Sequence, residues 1–325
     1  MLTTDWKKLH ADAFRGVRAL VTGGAGFIGA HSGRALLAGG HRVTAVDDLS
    51  HGKRAAVPQG AVLHVLDIRS PDLPALFERE RPDAVLHLAA QMDVRKSVAD
   101  PLFDASVNVL GTVNVLESAR RAGVKRVVFA SSGGAVYGEQ ETFPAREDHP
   151  RRPASPYGVS KLCGEEYLAY AGRAFGLSTL ALRYANVYGP GQDPHGEAGV
   201  VAIFLEKMLG GGAPVINGDG LQTRDYVHVA DVARINALAL LAQVGGALNV
   251  GTARETTVVD LAAALARHAG YAGQIQHGAG KAGEQRRSVV DPAAAAAALG
   301  WKPEIGLQRG LEDTAAWFSG QRRNR

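Results

Sequence analysis

The sequence contains one cysteine, Cys163, and no apolar run long enough for a signal peptide or a membrane span. A single cysteine cannot form a disulfide within the chain, and a transmembrane helix needs about 20 consecutive apolar residues. The formal net charge is only +4 over 325 residues, with part of the basic excess in the tail at 321–325. We therefore expect a cytoplasmic protein without a membrane or nucleic-acid partner.

Metal-ligand spacing is also missing. The chain has 11 histidines, but His195, His228 and His268 have no cysteine or acidic residue at the spacing of a metal site. The remaining composition, 46% hydrophobic and 21% charged, is that of an ordinary soluble globular protein. We expect no metal ion and a core of ordinary size.

Segments typical of buried strands alternate with segments typical of helices. The predicted strands are 17–22, 42–46, 61–66, 84–88, 126–131, 178–182 and 247–250. The predicted helices are 27–39, 73–79, 101–122, 156–175, 229–241, 258–269, 293–299 and 307–318. This alternation predicts an α/β fold with a Rossmann-type, doubly wound parallel sheet. Ligands of such sheets bind at the carboxyl ends of the strands.

A glycine-rich loop follows the first predicted strand. It contains Gly23, Gly26 and Gly29, and it leads into the helix that begins at Phe27. Small residues let the backbone approach a pyrophosphate at the helix N-terminus. Asp47 and Asp48 follow about twenty residues later, where a carboxylate can bind ribose hydroxyls and repel a 2′-phosphate. The pattern predicts NAD rather than NADP, whereas a second glycine pattern at 278–283 opens no helix and is interpreted as a loop.

Tyr157 and Lys161 lie four residues apart on a predicted helix, so their side chains share one face. A lysine ammonium favours the phenolate form of a nearby tyrosine. For a free phenol, with a pKa near 10, to act as a base at neutral pH, its pKa must fall by roughly three units. Together with the glycine loop, the pair indicates a general base next to a dinucleotide.

Further motifs accompany these residues. They are Leu88-Ala89-Ala90, Asn108 in Asn-Val-Leu-Gly-Thr, Ser131-Ser132-Gly133-Gly134-Ala135-Val136-Tyr137-Gly138, Leu182 to Pro190, and Gly218-Asp219-Gly220 leading to Arg224-Asp225-Tyr226-Val227-His228. With them the chain resembles the extended short-chain dehydrogenase/reductase family, and within it the UDP-glucose 4-epimerases. The resemblance runs from residue 17 to about 318.

The resemblance implies an NAD-binding Rossmann domain over 1–183, rejoined by about 229–253, and a smaller α/β domain over 184–325 that holds a nucleotide sugar. In that family the tyrosine takes the proton of the sugar 4-hydroxyl while NAD takes the C4 hydride, and the 4-keto sugar then turns over and is reduced on its other face. Lys161 would contact the nicotinamide ribose. Relatives form homodimers through the helices that match 101–122 and 156–175.

The predicted site residues fall into three groups. The catalytic group is Tyr157, Lys161 and Ser132. The cofactor group is Gly23, Gly26, Phe27, Ile28, Gly29, Asp47, Asp48, Asp67, Ile68, Leu88, Ala89, Ala90, Asn108, Ser131, Tyr157, Lys161 and Tyr184. The substrate group is Ser132, Gly133, Tyr157, Asn186, Val200, Arg224, Arg287 and Ser288. From position alone, Asp67 could instead cap the next helix, and Arg224 could instead pair with Asp225 at the surface.

The chain departs from the family pattern in four places. Gly133 stands where many epimerases have a catalytic Ser or Thr, so the hydroxyl must come from Ser132, Ser131 or water. Gly134-Ala135 replaces the acidic residues of the 4,6-dehydratases. The segment 281–284 has Lys in place of Arg, which removes a bidentate phosphate contact. Ser288 stands where a bulky Tyr is associated with small hexoses, and it leaves room for an N-acetyl group.

These features favour 4-epimerisation of a UDP-hexose, with UDP-glucose and UDP-galactose as substrates and UDP-N-acetylhexosamines tolerated. The alternative enzyme is another nucleotide-sugar converter, such as a UDP-glucuronate 4-epimerase or a 4-ketoreductase. The sequence sets no basic residue clearly aside for the C6 carboxylate, and Arg95, Lys96 and Arg287 are the candidates left open. The alternative of another class is a non-catalytic NAD-binding sensor. Such proteins typically lose the Tyr or the Lys, and this chain keeps both.

Overall fold

The computed structural model describes residues 16–195, 199–280 and 285–323. The strands are β1 (Arg18–Thr22), β2 (Arg42–Asp47), β3 (Val62–Val65), β4 (Ala84–His87), β5 (Arg126–Ser132), β6 (Ser178–Tyr184), β7 (Asn186–Tyr188), β8 (Val215–Asn217), β9 (Thr223–His228), β10 (Gly246–Val250), β11 (Glu255–Thr257), β12 (Gln276–Gly278) and β13 (Arg287–Ser288). The helices are α1 (Phe27–Ala38), α2 (Leu73–Glu80), α3 (Val94–Ala99), α4 (Pro101–Ala105), α5 (Gly111–Arg121), α6 (Gly133–Val136), α7 (Pro156–Phe175), α8 (Val200–Leu209), α9 (Val229–Leu241), α10 (Val258–Ala269), α11 (Ala293–Leu299) and α12 (Leu307–Arg323). A short 3₁₀ turn covers Arg54–Ala56, and a π-helical segment, Ser106–Leu110, joins α4 to α5. No helix in these ranges has both the length and the apolar character of a membrane span.

Seven strands form one parallel sheet in the order β10-β6-β5-β4-β1-β2-β3. The order reverses beside β1, because the chain leaves β3 at one edge and returns to β4 on the other side of β1. That reversal creates the crevice where dinucleotides bind in doubly wound sheets. The predicted α/β fold is confirmed.

Helices cover both faces of this sheet and bury two apolar cores. One core contains Leu36 of α1, Ile235 of α9 and Trp301, and the other contains Phe77 of α2, Leu116 of α5 and Leu168 of α7. Strands that are covered on both faces have continuous apolar sequences. These strands therefore do not show the alternation of apolar and polar residues that marks a half-exposed strand.

The later part of the chain builds a third core around short strands. Strand β9 pairs with β7, β11 and β13, and β8 pairs with β12. Helices α8, α10 and α12 pack there through Leu205, Leu265 and Phe318. Helix α11 and Trp301 instead join the core under β10.

Most helix boundaries fall where the sequence predicts them, including Pro156–Phe175, Val229–Leu241, Val258–Ala269 and Ala293–Leu299. The stretch predicted as one helix over 101–122 is interrupted by the π-helical segment. The last helix continues to Arg323, beyond the predicted end at 318. Gly278, predicted in a loop, ends β12, and Gly283 lies outside the described residues.

Candidate functional site

The loop between β1 and α1 has the tight backbone that its glycines predict. Gly23 has φ +68°, and a Cβ there would lie 2.8 Å from the backbone nitrogen of Ala89. A Cβ on Gly29 would overlap the carbonyl oxygen of Gly23. Gly26 is the N-cap of α1, no side chain caps the helix, and its first turn has no acidic residue. The positive end of α1 is therefore open to an anionic ligand.

Phe27 and Ile28 form the first turn of α1. The ring of Phe27 meets His31 edge-on at 5.8 Å between centroids, and Ile28 packs against the core below the sheet. The first turn of α1 thus has one side chain in the apolar core and one aromatic ring against His31.

The two aspartates after β2 have different environments. Asp47 is buried, and its carboxylate accepts hydrogen bonds from the backbone of Ala25 (3.0 Å) and Leu49 (2.9 Å). Burial raises the pKa of Asp47. Asp48 is exposed and accepts from the backbone and hydroxyl of Ser50. Asp47 fastens the glycine loop to β2, and the ribose contact of either residue stays a prediction.

The loop after β4 lies against the glycine loop. The backbone N–H groups of Leu88 and Ala89 both donate to the hydroxyl of Thr22 at 3.2 Å, and Ala90 follows them. His87, which sequence analysis missed, bridges Thr22 (2.7 Å) and Thr112 (3.0 Å). Its burial lowers its pKa to about 3, so it is neutral. The predicted cofactor residues at 88–90 are therefore held at the crevice by a buried bridge.

Asp67 does not cap a helix. Its carboxylate forms a fork with the guanidinium of Arg69, which lowers the pKa of Asp67. Helix α2 begins later, with Asp72 at its N-cap. Ile68 is buried, and a Cβ on Gly111 would lie 2.6 Å from its Cδ1. The capping alternative is wrong, and contact of the pair with an adenine ring stays a prediction.

Tyr157 and Lys161 occupy adjacent turns at the start of α7. The hydroxyl of Ser155 caps this helix by accepting from Gly158 (3.2 Å). Nζ of Lys161 lies 5.7 Å from the ring centroid of Tyr157 and donates to the carbonyl of Ala130 at 2.9 Å. Lys161 is 4% exposed, and burial lowers its pKa to about 8. At neutral pH the ammonium is therefore largely charged beside Tyr157.

A buried carboxylate that sequence analysis missed supports this pair. Asp104 of α4 is fully buried and accepts from the hydroxyl of Ser160 (2.6 Å), from Nδ2 of Asn108 (2.9 Å) and from Nε2 of Gln91 (3.0 Å). It acts against the fall in the pKa of Lys161. Asn108 also accepts from the backbone of Gln91 (2.8 Å) and donates to its carbonyl. Its side chain thus ties the loop after β4 to α4.

The serines at the end of β5 have different partners. The hydroxyl of Ser131 donates to Glu165 at 2.6 Å, and Glu165 forms a fork with Arg183. Ser132 is the N-cap residue of α6 but makes no side-chain cap. Gly133 follows it, and a Cβ on Gly158 would lie 2.6 Å from the carbonyl oxygen of Ala135. Helix α6 therefore packs against the turn of α7 that carries Tyr157.

Tyr184, predicted at the cofactor, directs its hydroxyl into the protein. It donates to Asn236 at 2.6 Å, and Asn236 donates to Ser32 of α1 at 3.0 Å. Burial raises the pKa of Tyr184. The hydroxyl joins β6 to α9 and α1, which leaves the ring and the backbone for any ligand contact.

The predicted substrate residues lie on the strands around β9. Asn186 is exposed on β7, and Val200 begins α8. Strand pairing places Ser288 of β13 beside Arg224 of β9. Ser288 is 5% exposed.

Two charged residues of this region have defined partners. Asp225 is fully buried and accepts from Thr252, so a surface ion pair of Arg224 with it is wrong. Arg287 forms a fork with Glu255 (2.9 and 2.7 Å), and its guanidinium carbon lies 3.7 Å from the ring centroid of Phe143. The segment 281–284 lies outside the described residues.

Comparison with known proteins identifies the family of the chain. Residues 19–251 match the model of the NAD dependent epimerase/dehydratase family. The chain belongs to this family. It is 44% identical over 304–308 residues to relatives that include the UDP-glucose 4-epimerase of Mycolicibacterium smegmatis, with 93% of this chain and 98% of that one covered.

Solved structures of two epimerases are also similar to this chain. The UDP-glucose 4-epimerase of Thermotoga maritima with UDP-glucose has a TM-score of 0.92 and 43% identity, and covers 94% of this chain and 99% of that one. The UDP-N-acetylglucosamine 4-epimerase of Methanobrevibacter ruminantium, in complex with UDP-N-acetylmuramic acid, has a TM-score of 0.90 and 32% identity, with 95% and 100% covered. The predicted resemblance to UDP-glucose 4-epimerases is confirmed.

The residues present fit the NAD of the epimerase/dehydratase family. The glycine loop gives a backbone surface that a Cβ would fill, the positive end of α1 faces it, and Asp47 ends β2 at its side. Lys161 donates to the carbonyl of Ala130 in β5, and the loop at 88–90 lies against the glycine loop. Within the described residues no group of three or more His, Cys, Asp or Glu side chains could hold a metal ion.

A surface groove of about 490 Å³ lies elsewhere, between α7, β6 and β10. It is bordered by Arg151, Arg173, Thr179 and Gly246, and includes neither Tyr157 nor the glycine loop. Crevices at the carboxyl ends of the strands, rather than grooves along a helix, bind the ligands of this sheet type. The crevice at α1 and α7, rather than this groove, is therefore the candidate site.

Protonation of Asp225 is expected to stabilise the folded protein as the pH falls. Burial raises the pKa of Asp225 to about 6, above its value in an unfolded chain. Between pH 6 and 4 the folded protein therefore binds a proton that the unfolded chain does not, so this group adds stability as the pH falls from 7 to 4. We expect a contribution of about 2–3 kcal/mol over that range.

Thermal unfolding at several pH values checks this. An Asp225→Asn variant keeps the shape of the side chain and loses the titration. On acidification, the melting temperature of the wild type should therefore rise relative to that of the variant. A difference that stays constant from pH 7 to pH 4.5 would show that Asp225 titrates normally.

Proposed function

We propose that the chain catalyses the NAD-dependent 4-epimerisation of a UDP-hexose, interconverting UDP-glucose and UDP-galactose. The observation that carries the proposal is Tyr157 beside the buried Lys161 on α7, in a fold whose glycine loop fits a dinucleotide. The 43% identity to an epimerase structure that contains UDP-glucose supports this substrate class. A bound NAD would supply reversible two-electron oxidation at the sugar C4.

Tyr157 acts as the base in this proposal. Its phenolate takes the proton of the 4-hydroxyl as the C4–H bond is broken, and the same phenol returns that proton when the 4-keto sugar is reduced on its other face. The sugar gains and loses the same two electrons and one proton, so the reaction is balanced. Lys161 stabilises the phenolate, because an opposite charge nearby favours the ionised form.

Ser132 supplies the hydroxyl that polarises the reacting oxygen. Ser131 is a poor donor because its proton is already shared with the carboxylate of Glu165. The side chain of Ser132 caps no helix and lies beside the α6 segment that packs on α7. We expect Ser132→Ala to lower kcat for UDP-galactose about 100-fold with NAD retained. Ser131→Ala tests the alternative donor, and an equal loss of kcat in both variants would contradict the assignment.

Substrate binding is proposed for Asn186, Val200, Gly133, Arg224 and Arg287, within a nucleotide-sugar domain over 184–325. The NAD-binding domain covers 1–183 and is rejoined by about 229–253. A guanidinium fork matches a diphosphate, although that of Arg287 is paired with Glu255 in this structure. Substrate would therefore compete with Glu255 for Arg287.

Ser288 is proposed to admit an N-acetyl group at the sugar C2. Its side chain is small and buried, and its Oγ lies 3.3 Å from the position of a Cβ on Gly134. The similarity to an epimerase named for UDP-N-acetylglucosamine supports this extension. We expect Ser288→Tyr to lower kcat/KM for UDP-N-acetylglucosamine at least 50-fold more than for UDP-galactose, because the ring fills the added space. Equal losses for both sugars, or no loss of N-acetyl activity, would contradict it.

We further propose a cytoplasmic homodimer through the helices matching 101–122 and 156–175. Large apolar side chains are exposed on these elements, with Leu102 83% and Leu110 64% exposed and Val159 and Tyr170 about half exposed. Light scattering of the purified protein and of a Leu102→Asp/Leu110→Asp variant tests the dimer. Equal masses for the two proteins would count against this surface.

The first experiment is to incubate the purified protein with UDP-galactose, without added NAD, and to follow UDP-glucose by chromatography. Conversion supports both 4-epimerisation and a retained cofactor. Absence of conversion by protein that carries NAD rejects the UDP-hexose proposal. UDP-glucuronate is then the next substrate to assay, and inactivity with both leaves the NAD-binding sensor.

A further inference from the structure

Gly133 and Val290 pack against each other with no space for a side chain on the glycine. Gly133 follows Ser132 at the end of β5 and opens α6. A Cβ on Gly133 would lie 2.8 Å from Cγ1 of Val290, closer than two unbonded carbon atoms approach without strain. Both residues are buried, Val290 with 1% exposure.

The backbone around Val290 is fixed. Ala145 donates to the carbonyl of Val289 at 2.9 Å and accepts from the backbone of Asp291 at 2.8 Å. The backbone of Val289 also donates to the side chain of Gln140 at 3.0 Å. Val290 therefore cannot slide away from Gly133 without breaking hydrogen bonds in the buried contact with Ala145.

The side chain of Val290 is confined as well. A Cβ on Gly251 would lie 2.6 Å from Cγ2 of Val290, so this second methyl rests on another glycine. Valine has few χ1 rotamers because it is branched at Cβ. With one methyl over Gly133 and the other over Gly251, rotation offers no relief for a larger residue at position 133.

We propose that Val290 is a positioning residue that excludes a hydroxyl from position 133 and so makes Ser132 the hydrogen-bond donor to the reacting oxygen. The proposal rests on the 4-epimerase function proposed above. Gly133 is then one half of a packed pair rather than a lost catalytic group. If the valine is shortened, the protein can carry a hydroxyl at position 133 and no longer depends on Ser132.

Thermal unfolding tests the packing half of the proposal. Gly133→Ala adds only a Cβ and should lower the melting temperature by about 3–6 °C through overcrowding. Val290→Ala should also lower it in the wild type, because it leaves a cavity. In the Gly133→Ala background the same change should raise the melting temperature, because it removes the clash. A double variant less stable than Gly133→Ala would overturn the pairing.

Activity with UDP-galactose tests the positioning half. In the wild type Ser132→Ala is expected to cost about 100-fold in kcat. In a Gly133→Ser/Val290→Ala background the same change should cost less than about 5-fold, because the introduced hydroxyl takes its role. Gly133→Ala/Val290→Ala is the matched control: it has the same space but no hydroxyl, and there Ser132→Ala should again cost about 100-fold.

The outcomes separate this proposal from the function on which it rests. An equal cost of Ser132→Ala in both double-variant backgrounds would overturn the positioning role while the wild type still epimerises. Failure of the wild type to convert UDP-galactose would reject the function, and the melting temperatures would still report whether Val290 and Gly133 form a packed pair. A merely structural role of Val290 would alter stability without changing the dependence on Ser132.

Discussion

Replacing Tyr157 with Phe should lower kcat for UDP-galactose by about 1,000-fold or more, with NAD still bound. The substitution removes one oxygen from a half-buried side chain near the start of α7, where Ser155 caps the helix independently. General base catalysis contributes roughly 10²–10⁴-fold in enzymes. In this proposal the same phenol also returns the proton, so both halves of the reaction should slow.

Steady-state assays and the NAD content of the purified variant check this prediction. Tyr167→Phe is the matched control, because Tyr167 lies on the same helix and is 43% exposed. It should change kcat by less than about 2-fold. Activity of Tyr157→Phe within about 10-fold of the wild type would show that another group removes the proton.

Replacing Lys161 with Met should reverse the pH dependence of kcat between pH 8 and pH 10. Burial lowers the pKa of Lys161 to about 8. As the pH rises through that value the wild type loses the ammonium that stabilises the phenolate, so its activity should fall. Without the lysine, no neighbouring ammonium favours the phenolate of Tyr157, and a free phenol has a pKa near 10. The variant should therefore be about 100-fold slower at pH 7.5 and become faster as the pH rises.

Initial rates across pH 6–10 for wild type and variant provide the measurement. Met has a long side chain that can occupy the apolar space beside Phe129, where Nζ of Lys161 lies 4.8 Å from the ring centroid. Circular dichroism confirms that the variant is folded. Lys125→Met is a control for the loss of a lysine outside the site. Parallel pH profiles for wild type and Lys161→Met would contradict the electrostatic role.

Local patterns predicted several features of this protein. The glycine loop, the strand before it and the helix after it are contiguous, so the cofactor site could be inferred from a few neighbouring residues. Helix ends were predictable where caps are encoded locally, as by Pro156 at the start of α7 and Gly176 at its end. The relation of Tyr157 to Lys161 also follows from helical spacing alone.

Other features depend on residues that are distant in the chain. Nothing near Asp104 in the sequence indicates that Ser160 and Gln91 will both donate to it. The π-helical interruption before α5 was likewise not predicted. Asn108 lies in this segment, where its side-chain amide accepts a hydrogen bond from Gln91 and donates one to Asp104. These contacts form only when α4, α7 and the loop after β4 pack together.

The sequence alone therefore determined the fold class, the cofactor and the Tyr157–Lys161 pair, because each is encoded by short-range spacing. The tertiary structure decided which partner the hydroxyl of Ser131 has and how much space surrounds position 133. Those answers require Glu165 beside Ser131 and Val290 against Gly133. Such contacts are set by close packing between distant segments, in which an extra carbon atom costs stability, and no local pattern records them.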